Sequence, residues 1–206
     1  MAPRMTQIAG VILAGGQATR MGGQDKGMMR LGDVRLIERV IARLKPQCAT
    51  LAISANGDLS RFDGFGYPVF ADGSEDSQGP LAGVLAGLDW AARAGFEAIV
   101  TVATDTPFFP TDLVTRLHAG SAPQGFGMAV TEAEERRFWH PTFALWPVAL
   151  RHDLREALRH NQRRMRQFAE SKDVVPVVFE NSAAQDVFFN INTPEDLARA
   201  EAMLAS

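Results

Sequence analysis

Cysteine is almost absent: Cys48 is the only one in 206 residues. An intrachain disulfide and a cysteine-cluster metal centre are therefore excluded, and a reducing compartment suits the chain. No stretch reaches the roughly 18 apolar residues of a membrane-spanning helix. Residues 1–7 set no long apolar run behind their single arginine, so a cytoplasmic protein is expected. There are four histidines and no His-x-x-x-His pair, which argues against zinc. A basic excess is missing too. With a formal net charge of −3, general affinity for nucleic acid backbones is not expected, and basic residues must act locally. The chain also lacks a Gly-Lys-Ser/Thr ending of a Walker A loop, a Gly-x-Gly-x-x-Gly fingerprint, internal repeats and low-complexity segments.

What is present is an ordinary globular composition, 46% apolar and 22% charged, of a length that suits one α/β domain over residues 1–206. The apolar run 8–14 is long enough for one buried strand and stops at Gly15-Gly16, where the backbone can turn freely. Arg20 and Lys26 follow within a few residues. Main-chain N–H groups at a glycine-rich strand end, with two cations nearby, suit a polyphosphate. A glycine-rich surface turn with solvated basic side chains is the alternative.

Along the rest of the chain, apolar positions 36, 37, 40, 41 and 44 predict a helix that Pro46 ends, and 51–55 predicts a short strand. A third extended piece, 67–71, leads into a polar loop beginning at Asp72. Pro80 opens a helix that ends at Gly95, with Gly79 leaving room for a ligand at its N-terminus. The run 98–103 is apolar on both faces, as in the centre of a helix-covered parallel sheet. It delivers Asp105 to the carboxyl end of that strand, where ligands bind in such sheets. Asp105 there is either a Mg²⁺ ligand or a turn cap before Thr106-Pro107.

A short helix capped by Thr111 is expected next, followed by strands at 127–131 and 142–146 flanking a solvated, charged connection at 132–137. Helical spacing resumes over 148–168 and breaks at Asn161-Gln162-Arg163-Arg164. Residues 174–179, with Pro176, read as a strand near a sheet edge. Thr193-Pro194-Glu195-Asp196 caps a closing helix, and Asn190 and Asn192, alternating with Ile191, point to one side. Together these predict a doubly wound, Rossmann-like, mainly parallel α/β sheet with a small antiparallel insertion near 128–146.

The ordered set Leu13-Ala14-Gly15-Gly16, Arg20-Met21-Gly22, Asp25-Lys26-Gly27, Asp72, Gly79-Pro80-Leu81-Ala82-Gly83, Asp105-Thr106-Pro107 and Asn190-x-Asn192-Thr193-Pro194 spans nearly the whole chain. It resembles the nucleotidyltransferases and, within them, the molybdenum cofactor guanylyltransferases. The resemblance implies transfer of GMP from GTP to molybdenum-bound molybdopterin, with release of pyrophosphate and assistance from Mg²⁺. It implies GTP contacts from Leu13, Ala14, Gly15, Gly16, Arg20, Lys26, Ser54, Asp72, Gly79, Pro80, Leu81 and Asp105. Lys26 and Asp105 would serve catalysis, and Asp105 would hold the metal. Acceptor contacts would come from His140, Arg163, Arg164, Asn190 and Asn192, and the product would pass to molybdopterin-handling proteins or chaperones of recipient molybdoenzymes. Two other readings share parts of this set: a cytidylyl- or sugar-nucleotidyltransferase, and a non-catalytic GTP-binding adaptor.

Overall fold

β1 (Ile8–Leu13) sends its side chains to opposite faces, and each face meets its own apolar layer. Ile8 and Ile12 join one cluster, and Val11 and Leu13 the other. A computed structural model describes residues 4–15, 17–18, 24–71, 79–134, 136–181 and 186–205. After β1 come two small antiparallel ribbons, β2 (Gln17–Ala18) with β3 (Gln24–Asp25) and β4 (Arg30–Leu31) with β5 (Val34–Arg35). Helix α1 (Leu36–Leu44) buries Leu36, Ile37, Val40 and Leu44, the stripe expected from its spacing. β6 (Leu51–Ser54) and β7 (Val69–Phe70) then extend the sheet in parallel beside β1.

Helix α2 (Pro80–Ala94) crosses the opposite face and leads into β8 (Ala98–Ala103), which pairs in parallel with the other side of β1. It seats tightly because Gly83 and Gly87 face the sheet. A Cβ on Gly83 would stand 2.8 Å from Ser54 Oγ, and one on Gly87 3.0 Å from Val11 Cγ2. Gly95, at φ +80°, closes the helix in the left-handed region. α3 (Leu113–Gly120) follows β8. It begins after Asp112 rather than at Thr111, and no side-chain hydrogen bond caps it; the Asp112 carbonyl accepts the Arg116 N–H.

β9 (Gly127–Ala133) and β10 (Arg136–Pro147) form a long hairpin. The charged stretch 132–137 is therefore mostly strand: Arg136 pairs with Ala133 and Arg137 with Glu132, whose carboxylate accepts from the guanidinium at 2.8 Å. The alternation that usually marks a strand is hidden there because both faces of the hairpin tip meet solvent. Nor is the antiparallel part an appendage. β10 pairs directly with β8, so the hairpin belongs to one sheet of order β11-β9-β10-β8-β1-β6-β7, in which β10 alone runs against the other six strands.

After β10 the chain forms α4 (Arg151–Arg159) and α5 (Met165–Glu170), separated by a polar turn at 160–164. Both pack on the α2 face through Leu154, Met165 and Phe168. β11 (Val175–Val178) is the edge strand, with Pro176 in it, as the proline implied. α6 (Pro194–Ala205) ends the chain. Asp196 N–H donates to Thr193 Oγ1 at 3.1 Å, and the Asp196 carboxylate accepts from the N–H groups of Asn192 and Thr193 at 2.9 Å each. Those bonds, led by that from Asn192, hold the Asp196 carboxyl below the usual range.

Candidate active site

The strand order reverses beside β1: the connection through α1 leads to β6 on one side, and that through α2 leads back to β8 on the other. Ligand crevices form beyond the carboxyl ends of strands at such a switch point. A cleft of about 280 Å³ lies there, at the ends of β1, β6 and β8.

One wall consists largely of main chain and glycine. Leu13 and Gly15 come from the end of β1, Ser54 and Asn56 from the end of β6, and Gly79, Pro80 and Gly83 from the start of α2. Gly79 sits at φ +119°, a backbone state that only glycine adopts without strain, and a Cβ there would meet nothing within 4 Å. The N-terminus of α2 therefore borders the cleft at Gly79 and Pro80, where the helix dipole favours an anion. Along this wall the Leu13 carbonyl accepts the Thr104 N–H, the Ser54 carbonyl the Ala14 N–H, and the Gly79 carbonyl the Ala82 N–H. A carbonyl oxygen has two lone pairs, so the Leu13 carbonyl can accept a ligand donor besides the Thr104 N–H.

The facing wall carries side chains: Thr104 and Asp105 after β8, Thr142 from β10, and Asn190 from the stretch before α6. Between the two walls stands Lys26, in the turn Lys26–Met28 that follows β3. Its ammonium donates to Asp105 Oδ2 at 3.1 Å and makes a short hydrogen bond to Asn192 Oδ1. Lys26 and Asp105 are only 15% and 17% exposed, so the pair is poorly screened. Three segments far apart in the chain therefore meet at one ammonium group. The Asp105 carbonyl accepts the Ile191 N–H at 2.8 Å, which fixes the approach of the last segment, and the bonds to Asp196 hold the Asn192 backbone.

A glycine-lined, anion-favouring wall facing a Lys–Asp–Asn cluster suits a nucleotide whose phosphates reach the lysine. Comparison with known proteins agrees with that geometry. The profile of the MobA-like NTP transferase domain matches residues 10–176. The chain belongs to the MobA-like NTP transferase family.

Within that family it is 48% identical to a molybdenum cofactor guanylyltransferase of Mesorhizobium japonicum over 97% of each chain. It is 47% identical to a protein of the same name from Nitrobacter hamburgensis, over 95% of this chain and 94% of that one. Among solved structures, molybdopterin-guanine dinucleotide biosynthesis protein A from Archaeoglobus fulgidus superimposes with a TM-score of 0.71 at 23% identity, covering 96% of this chain and 98% of the other, and thereby supports the fold.

In this MobA-like transferase Leu13, Gly15, Lys26, Ser54, Gly79, Pro80, Asp105 and Asn190 all line the cleft, and Asn192 reaches it through Lys26. Ala14 and Leu81 are buried, at 2% and 1% exposure, and can offer a ligand only their main chain. Gly16, Arg20 and Asp72 lie outside the described residues. His140 is not among the residues that line the cleft. Its Nε2 is 2.9 Å from Thr131 Oγ1 and its ring stacks on Phe188 at 4.3 Å. Burial lowers its pKa to about 4, against a smaller upward pull from the Asp186 carboxylate, so the ring is neutral at pH 7.

Arg163 and Arg164 lie in the turn between α4 and α5, outside the cleft lining, with Arg163 donating to Asn161 Oδ1 at 3.1 Å. Asn56, Ala103, Thr104 and Thr142 are cleft residues that the sequence did not single out for a site role, and Gly83 entered only as part of the motif from Gly79 to Gly83. Asn56 and Thr104 follow strand ends, the same signal that singled out Asp105. Thr142 is exposed to the cleft by a sheet irregularity that leaves no mark in composition.

Proposed function

We propose that this chain transfers GMP from GTP to molybdopterin carrying molybdenum and releases pyrophosphate. The observation that carries this reading is the meeting of Lys26, Asp105 and Asn192 at the switch point of the sheet, opposite the glycine-built start of α2. An oxygen of the acceptor's phosphate attacks the α-phosphorus of GTP. The bond from that phosphorus to the α–β bridging oxygen breaks, and pyrophosphate leaves with the electron pair. A phosphate monoester needs no strong base, so alignment and charge neutralisation supply the rate. Lys26 turns its ammonium from Asp105 to the phosphates, while N–H groups at Gly15 and at the start of α2 hold the nucleotide.

Hard oxygen donors suit Mg²⁺. Asp105 and Asn192 present a carboxylate and an amide oxygen already gathered around one cation, and among the described residues no group of three or more His, Cys, Asp or Glu could enclose a metal alone. Mg²⁺ bound by one or two protein oxygens completes its shell with phosphate oxygens and water, and it would neutralise charge on the triphosphate. Arg163 and Arg164 would meet the acceptor beyond the cleft. The finished dinucleotide would pass to a recipient molybdoenzyme or its chaperone. No helix among the described residues is long and apolar enough to cross a membrane.

Pyrophosphate release from GTP, CTP and ATP competing in one reaction with purified molybdenum-loaded molybdopterin tests the reading. GTP should win at least tenfold. Guanine's N1–H and amino group require acceptors, and adenine or cytosine would leave these unpaired at roughly 1–3 kcal/mol each. Equal use of CTP would move the chain to the cytidylyltransferases.

A further inference from the structure

Two hydroxyls open onto the cleft without a partner among the described residues. Thr104 is only 4% exposed and lines the cleft, and its N–H is held by the Leu13 carbonyl, yet its Oγ1 makes no hydrogen bond to any described residue. No side-chain nitrogen or oxygen sealed from solvent lacks a partner among the described residues, so this oxygen is open to solvent, on a residue that lines the cleft. Thr142, half-buried on the same wall, likewise makes no side-chain hydrogen bond to any described residue.

The sheet is deformed at Thr142. Pairing of β10 with β8 ends at Ala144 opposite Thr101. Between Trp139 and Ala144 β10 advances five residues while β9 advances two, from Val130 to Met128, so three extra residues are accommodated. Pro141, which has no N–H for the ladder, lies within the irregular stretch. Bulges beside sites re-aim a side chain, and here the irregular stretch places Thr142 in the lining of the cleft that Thr104 also lines. Asn190 adds an amide to the same wall. Among the described residues lining the cleft the only cation is Lys26, and it stands between the walls.

This rests on the proposed transfer reaction. We infer that Thr104 and Thr142 are the ligands of the acceptor's phosphate monoester, donating their hydroxyls to two of its oxygens while a third faces the α-phosphorus of GTP. Leaving pyrophosphate gains charge and calls for cations, whereas the attacking oxygen must keep its electron density. Neutral donors orient it without the strong pull of a guanidinium.

The variants Thr104→Val, Thr142→Val and their pair remove each hydroxyl with little change of volume. Each single change should raise the KM for molybdenum-loaded molybdopterin about tenfold or more, the loss of one hydrogen bond to a charged group. The pair should raise it further, GTP affinity by titration should move less than twofold, and serine at both positions should restore the KM. A parallel titration of inorganic phosphate into protein loaded with α,β-methylene GTP needs no turnover. Wild type should bind phosphate and the double variant should not. If wild type binds phosphate through these hydroxyls but never converts molybdopterin, the transfer reading fails and the two threonines remain a phosphate subsite whose ester is not molybdopterin. Equal phosphate binding by wild type and double variant, no binding by either, or equal damage to GTP and acceptor would overturn the assignment. Should Thr104→Val impair folding, Thr142→Val alone decides it, because β-branched valine suits that half-exposed strand position.

Discussion

The two walls of the cleft are made differently, and the difference explains which one the sequence announces. The wall at β1, β6 and α2 offers main-chain groups held by Gly15, Gly79 and Gly83, spaced along short contiguous motifs. The wall at β8, β10 and the approach to α6 offers Thr104, Asp105, Thr142 and Asn190, drawn from three distant segments. A backbone-built site must be written locally, because glycine is favoured where the chain turns at positive φ, as at Gly79, or comes close to a ligand. A side-chain-built site needs only that tertiary packing deliver the groups.

Changes at the junction should damage both walls and have the largest effects. Asp105→Asn keeps the side-chain volume but removes the charge that Lys26 contacts and that a divalent cation would need. Turnover should fall at least about 100-fold, more than the loss of melting temperature from leaving the partly buried Lys26 without its counter-ion accounts for. Normal turnover at limiting Mg²⁺ would break the assignment. Lys26→Ala should cost about 100-fold in kcat and leave the partly buried Asp105 without its counter-ion. A loss of Tm in proportion to the loss of activity would make the lysine structural.

Gly83→Val separates the walls. Its Cβ alone would stand 2.8 Å from Ser54 Oγ and 3.1 Å from Leu13 Cδ2. Overpacking of roughly 1–3 kcal/mol should lower Tm by about 2–10 °C. The KM for GTP should rise more than that for the acceptor, as steady-state kinetics with each substrate varied would reveal. Equal rises would mean that the two walls do not divide the substrates.

Arg163→Ala with Arg164→Ala should act on the other side and more weakly. These cations lie outside the cleft lining, and exposed charges are worth roughly 1 kcal/mol or less. Acceptor KM should rise a few-fold, GTP affinity should hold, and the effect should shrink with added salt.

The smallest effect on turnover at neutral pH is expected at His140, whose contribution is instead an acid sensitivity of stability. With the folded pKa of His140 lowered from 6.5 to about 4, the unfolded chain binds more protons between those values. Stability is therefore complete above about pH 6.5 and is lost as pH falls toward 4. Thermal melts across that range should show a shallower decline in His140→Gln than in wild type. Parallel declines would remove His140 from the account.

Much of the parallel half was legible. The strands at 8–13, 51–54 and 98–103, the helices ending at Leu44 and Ala94, and the Thr193 cap followed from apolar spacing, proline and glycine. These signals act over one or two turns of chain and survive in any tertiary context. The strand character of 132–133 and 136–137 was hidden because those side chains are exposed, and the late start of α3 because Thr111 has the chemistry of a cap without the position.

Composition and local order by themselves determined the fold class, the glycine-built wall, and the candidacy of Lys26 and Asp105. Only the tertiary structure decided that β10 inserts beside β8, that its irregular stretch exposes Thr142, and that Asn192 reaches Lys26 across 166 residues of chain. Periodicity reports which face of an element is apolar. Which strand becomes whose neighbour is settled by packing between segments that the sequence keeps far apart.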